Sequence, residues 1–182
     1  MSAGGAVAAA AVANMRRRQD AGELEPAPVR GALAPIVLAV WLGAALLMAT
    51  TVGQAAFAVL PTRQLAGALV GRILPVVFLS GIAAGVLAHM LSMRAGIRAT
   101  WVARLGGLAL VGGCLVAQAV VAPKIEALRK VLPASIESLP VTDPQRQSFG
   151  RLHGVSVALL GVAMLGAAAT IASTLRNTRR AD

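Results

Sequence analysis

Between Arg30 and Arg63 the chain carries no charged side chain, and three further stretches repeat this pattern. They are 73–93 between Arg72 and Arg94, 105–123 between Arg104 and Lys124, and 152–175 after Arg151. Apolar residues run on continuously in each stretch instead of alternating. A strand with one face in lipid, about 10 residues long with a period of two, does not fit this pattern. As helices, the runs reach or approach the roughly 20 residues that cross about 30 Å of hydrocarbon. The expectation is an all-α protein, an integral membrane four-helix bundle, with a transmembrane domain over 30–178 and spans of about 33–58, 68–92, 101–122 and 149–175.

The polar segments between the runs add detail. KIEALRKVL (124–132) continues the third helix past Pro123 with Ile125, Leu128 and Leu132 on one face, as an amphipathic extension would. Pro133 and Pro140 then make a loop. Asp143 is placed to cap a fourth helix that starts at Pro144, outside the membrane, and descends through FGRLHGVS (149–156). Residues 1–29 are rich in Ala and Gly, then basic (MRRR), then Pro-containing. A secretory signal places its positive charges before the apolar region, and here they follow it. The Ala run at 6–13 is too short to span. This segment reads as a disordered cytoplasmic arm, with Met15 as a second candidate start that N-terminal sequencing would distinguish.

Composition agrees with a membrane location. Hydrophobic residues make up 57% and charged residues 13% of the 182-residue chain, and mean hydropathy is +0.75. A soluble domain needs more polar surface than that. The net charge of +10 does not indicate nucleic acid, because aromatics are only 3%, Tyr is absent and no dense basic patch is interleaved with stacking residues. The cations instead cluster at the flanks of the apolar runs. Cys114 is the sole cysteine, which excludes an intramolecular disulfide or a cysteine metal cluster; inside an apolar run it reads as a small buried hydrophobe.

Counting Lys and Arg by side gives the orientation. Arg16, Arg17, Arg18, Arg30, Arg94, Arg98, Arg104, Arg176, Arg179 and Arg180 fall on one side. Arg63, Arg72, Lys124, Arg129, Lys130, Arg146 and Arg151 fall on the other. The richer side is expected in the cytoplasm with both termini, in the plasma or inner membrane. For packing, Gly81 with Gly85 and Gly150 with Gly154 form small-xxx-small steps, and Gly161, Ala163 and Ala167 extend the second. Such residues admit close helix approach, although a chain with 19 glycines produces some of these pairs by chance.

A family resemblance rests on GQAAFAVLPTRQLAGALVGRILPVVF (53–78), VVAPKIEALRK (120–130) and FGRLHGVS (149–156). Its features are Phe57, Leu60 and Pro61, then Ala66, Gly67 and Gly71, then Pro75 and Phe78, and finally Pro123, Phe149, His153, Gly154 and Ser156. In their order and spacing these resemble the transmembrane protein 205-like family, a four-helix membrane domain of largely unknown function. The resemblance covers most of 41–175 and implies a fold and a location but no reaction. Many members of that family look to carry an Asn a few residues after the HGxS step, where this chain has Leu160.

Four spans bring the polar residues of alternate connections to one membrane face. The candidate ligand-binding residues there are Arg72, Gln118, Arg151, His153, Ser156 and Gln54. Arg146, Phe149, His153, Ser156 and Leu160 form a stripe at helical spacing. Blander readings stand beside each of these. Arg72 and Arg151 at helix ends can reach headgroups by snorkelling. Glu126 can pair with Arg129 and Lys130 at i+3 and i+4. Gln54 and Gln118 can bond to each other between helices one and three as structural glue. His153 is either a satisfied interfacial residue or a proton-responsive or ligand-binding group, since imidazole titrates near neutral pH.

His89 and His153 do not suit one bis-histidine haem. They are expected near opposite faces, roughly 20–25 Å apart at 1.5 Å per residue. No Walker loop, HExxH, CxxC, GxSxG or GxGxxG is present. An intramembrane carboxylate, the usual coupling group of proton-driven pumps, is also missing. The reading is therefore a non-enzyme with no cofactor and no metal site. It binds or passes a small polar or anionic molecule through an outer-side vestibule. Its partners would be the lipid bilayer, that ligand and other copies or subunits, with no nucleic acid. The alternative is an accessory or structural subunit of a membrane complex, packing through Gly/Ala helix faces.

Overall fold

The computed structural model describes residues 10–17, 27–96, 99–131 and 139–178. Within the arm expected to be disordered, residues 10–17 form an exposed helix, α1, in keeping with the helix propensity of its alanines. The remaining arm residues before 27, Arg18 among them, lie outside the described residues, as do Arg98, Leu132, Pro133, Arg179 and Arg180.

Four long apolar helical runs form the body of the protein. They are Ala32–Val59, Arg63–Arg94, Trp101–Val131 and Pro144–Asn177. The first run comprises α2 (Ala27–Leu47), a π turn (Met48–Val52) and α3 (Gly53–Val59). Thr50 Oγ1 donates to Leu46 O at 2.8 Å and so competes for a carbonyl of the regular ladder. At the other end of the turn, Gly53 N–H reaches Met48 O five residues back.

α4 (Arg63–Arg94) is capped by Thr62, whose hydroxyl accepts from Leu65 N–H at 3.2 Å. It stops at Gly96, which takes the left-handed φ of 68° that a glycine tolerates. α5 (Trp101–Val116) is capped in the same way by Thr100 and passes through a second π turn (Ala117–Val121) into α6 (Ala122–Val131). Pro123, at the start of α6, has no N–H for the ladder and its ring crowds the preceding turn. Widening to a π turn lets the helix carry on through it. α7 (Pro144–Thr178) begins where Asp143 Oδ1 accepts from Gln145 and Arg146 N–H at 2.7 and 3.2 Å.

The helices form a ring in which α2 and α5 each pack against both α4 and α7. The closest seam is α5 against α7. A Cβ at Gly166 would lie 2.4 Å from Gly106 O, and one at Gly106 would lie 2.5 Å from Thr170 Oγ1, so only glycines permit this approach. Inside the ring lie Leu38, Trp41, Phe78, Leu110, Cys114, Leu160, Ala163 and Ala167. The Trp41 indole reaches across to donate to Val77 O at 3.0 Å and lies over Gly81, which also meets Cys114.

The outward faces are apolar too: Val40, Val76, Leu108 and Leu165 are between 64 and 73% exposed. Four spanning helices with small residues inside and branched aliphatics outside make this a multi-pass membrane protein with lipid around its circumference. Gly81 and Gly85 face the interior and admit the close approach of α2 and α5, so they offer no outward docking face. Gly150, Gly154 and Gly161 instead have open space where a Cβ would sit.

Candidate functional site

The ring does not stay closed along its length. At the end where the first span finishes and α4 begins, α3 packs on α4 and α6 packs on α7. No comparable packing joins α3 to α7 or α4 to α6. Between the two separated pairs lies a cavity of about 700 Å³. Arg63 and Phe78 both line it, and their 15-residue separation on α4 is about 22 Å of helical rise, so the cavity runs deep into the bundle.

Its walls are mainly apolar. Phe57, Val70, Leu74, Pro75, Phe78, Ile125 and Phe149 contribute, with Gly67, Ala68, Gly71 and Ala122 between them. Polar groups fall in two tiers. Arg63, Gln64, Glu126 and Arg129 sit toward the mouth, and Gln118 and Ser156 sit deep, with His153 between them on α7. A concave, largely apolar site of this size with a few placed polar groups is the usual form of a small-molecule pocket.

Arg129 is held from two sides. Its Nη2 donates to Gly67 O on α4 at 3.1 Å, and its guanidinium carbon lies 5.8 Å from the Phe149 ring centroid on α7. It can lie this close to α4 because position 71 is glycine: a Cβ there would be 2.6 Å from Nη1. Pro75 adds a second local feature, since it has no N–H to offer the Gly71 carbonyl one turn earlier. The expected pairing of Glu126 with Arg129 or Lys130 is not formed among the described residues; Arg129 reaches across the mouth to α4 and α7 instead.

Of the six residues singled out from sequence, the structure gathers Gln118, His153 and Ser156 on the cavity wall and leaves Arg72, Arg151 and Gln54 exposed away from it. Helical phase explains the split, since each residue advances about 100° around its axis. Arg72 follows Gly71, which faces the cavity, and so turns away from it. Arg151 is two residues from both Phe149 and His153 and points nearly opposite to them. Gln54 is likewise two residues from buried Ala56. Gln54 therefore does not pair with Gln118, and Gln118 Oε1 is buried without a hydrogen-bond partner. Ser156 is 2% exposed. Leu160, one turn further in, belongs to the packed core.

Arg129 escaped the sequence reading as a site residue because its i−3 acid supplied a sufficient surface explanation. The stripe Gln118, Ala122, Ile125 and Arg129, at i+4, i+3 and i+4, could have marked it. His89 is exposed on α4, five residues before its end, and has no place in this cavity. Among the described residues no group of three or more His, Cys, Asp or Glu is placed to hold a metal ion.

No curated protein and no solved structure matches the chain. Residues 36–134 match the model of a domain of unknown function, DUF4149. That stretch carries the first three spans and α6; the cavity wall on α7 lies beyond it. As it takes in more than half of the 182 residues, the chain belongs to the DUF4149 family, whose function is unknown.

Proposed function

We propose that this protein binds, or passes across the membrane face, a small polar or anionic molecule held in the cavity between the α3/α4 and α6/α7 pairs, and that it catalyses no reaction on it. The observation that carries this reading is the wall itself. Among the described residues, two arginines, a histidine and an unpartnered amide oxygen meet on it with one carboxylate, Glu126. A buried acceptor without a partner is costly, so Gln118 favours a ligand able to donate to it.

The Lys and Arg distribution supports placing the cavity on the outer side of the plasma or inner membrane with both termini in the cytoplasm. The run of features from Phe57 to Ser156 supports kinship with the transmembrane protein 205-like family beyond the DUF4149 domain. Native mass spectrometry of the gently solubilised full chain tests the reading. One co-purifying small molecule per chain is expected, lost in a Gln118→Leu, His153→Ala double variant that keeps its melting temperature. A chain that carries the same mass with and without those substitutions would refute it. The second reading, a subunit of a larger membrane complex, is favoured by the open Gly150/Gly154 face of α7. It predicts that Gly154→Leu, not Gly81→Leu, disrupts association without unfolding the protomer.

A further inference from the structure

The way the cavity opens says more about what enters it. Along most of their length spans one and four, and spans two and three, are closed against each other by α2 on α7 and α4 on α5. Both seams part at the cavity end, where α3 with α4 and α6 with α7 stand as separate pairs. The cavity lies between these two pairs, whose outer surfaces face hydrocarbon. Phe57 on α3 lines the interior and is also half exposed on the outside. The Arg129 side chain bridges α6 to α4, through Gly67 and against Gly71.

The α4 wall next to this cation is apolar, along Val70, Leu74 and Phe78. Of the five N–H donors of the guanidinium, one is engaged by Gly67 O, and no carboxylate among the described residues pairs with the group. A cation held at the edge of a low-dielectric cavity favours an anion.

We propose that the ligand is a single-chain amphiphile with an anionic head, a carboxylate or a phosphate monoester, drawn from the bilayer between the two helix pairs. Its head lies against Arg129 and its chain lies along Val70, Leu74 and Phe78. This rests on reading the cavity as a ligand site, and it replaces a small water-borne anion with a lipidic one. Gln118 and Ser156 at the deep end hold a polar floor that limits how far the chain descends.

The test uses the full chain in phosphatidylcholine nanodiscs and five probes: oleate, oleoyl lysophosphatidate, uncharged monoolein, and the water-soluble anions butyrate and inorganic phosphate. Oleate and lysophosphatidate are expected to bind saturably at one site per chain. Monoolein is expected to bind about tenfold more weakly or worse, the factor that a charge-assisted hydrogen bond carries. Butyrate and phosphate are expected not to compete. Arg129→Gln should remove the preference for charged heads while leaving monoolein binding unchanged.

Gly67→Phe offers a second route. A side chain there starts in open space within the cavity wall, so the fold tolerates it, and it should block every amphiphile. Butyrate or phosphate competing fully, in an Arg129-dependent way, would overturn the amphiphile and leave the anion-binding cavity standing. No saturable binding of any probe, or binding untouched by both Arg129→Gln and Gly67→Phe, would overturn the amphiphile proposal; if native mass spectrometry also finds no bound molecule, the cavity reading falls with it.

Discussion

Glycine 71 and Arg129 form one unit, although they are 58 positions apart in the chain. A methyl group at 71 would first meet the far end of a flexible side chain, 2.6 Å from Nη1, and its three nearest neighbours all belong to that guanidinium. Gly71→Ala is therefore expected to keep the melting temperature in detergent, or to raise it slightly, because alanine is the better helix former by about 0.8–1 kcal/mol. The displaced guanidinium should cost the protein its affinity for oleate. A thermal shift paired with a binding isotherm separates the two effects. Trp41 makes the opposite case, a residue whose polar atom serves only the fold. Trp41→Phe removes the bond to Val77 O and should destabilise by about 1 kcal/mol with no change in ligand binding, checked by the same pair of measurements.

At the scale of helices, the glycines of α7 differ in what surrounds them. Gly166 faces Gly106 so closely that any Cβ strikes backbone, at 2.4 Å from Gly106 O and 2.9 Å from Leu110 N. Backbone cannot swing aside, so Gly166→Ala should push α5 from α7 and cost about 2–3 kcal/mol. Gly150→Ala and Gly154→Ala enter open space and should stay within about 0.5 kcal/mol of the parent. Steric trapping or denaturation in mixed micelles reads all three. The π turns belong to this scale as well. The one before Pro123 lets a single helix contribute both Gln118 deep in the cavity and Arg129 near its mouth. A helix broken at the proline would have lost that alignment.

For the molecule as a whole, the four spans fix that Ala95 and Thr142 lie at opposite ends of the bundle. The charge count predicts which end faces outward. In a Cys114→Ala background, whole cells treated with an impermeant thiol reagent should label a cysteine at Thr142 and spare one at Ala95. The reverse pattern would invert the protein and turn the cavity to the cytoplasm. Either outcome leaves the cavity and its residues together, because their common end follows from the even number of crossings.

Chain patterning alone determined that this protein crosses the bilayer as four helices and that Gln118, His153 and Ser156 share one end. Continuous apolarity leaves the backbone no partner except its own helix, and alternate connections must return to the same face. Asp143 and Pro144 likewise announced the start of α7, since a cap is a local interaction. Only the tertiary arrangement decided which polar residues look inward. Arg72, Arg151 and Gln54 lost their place to helical phase, and Arg129 gained one because Gly67 and Gly71, on another helix, left room for it. Rotation about a helix axis and the parting of two helix pairs depend on packing between segments far apart in the chain, and no single stretch of sequence records that packing.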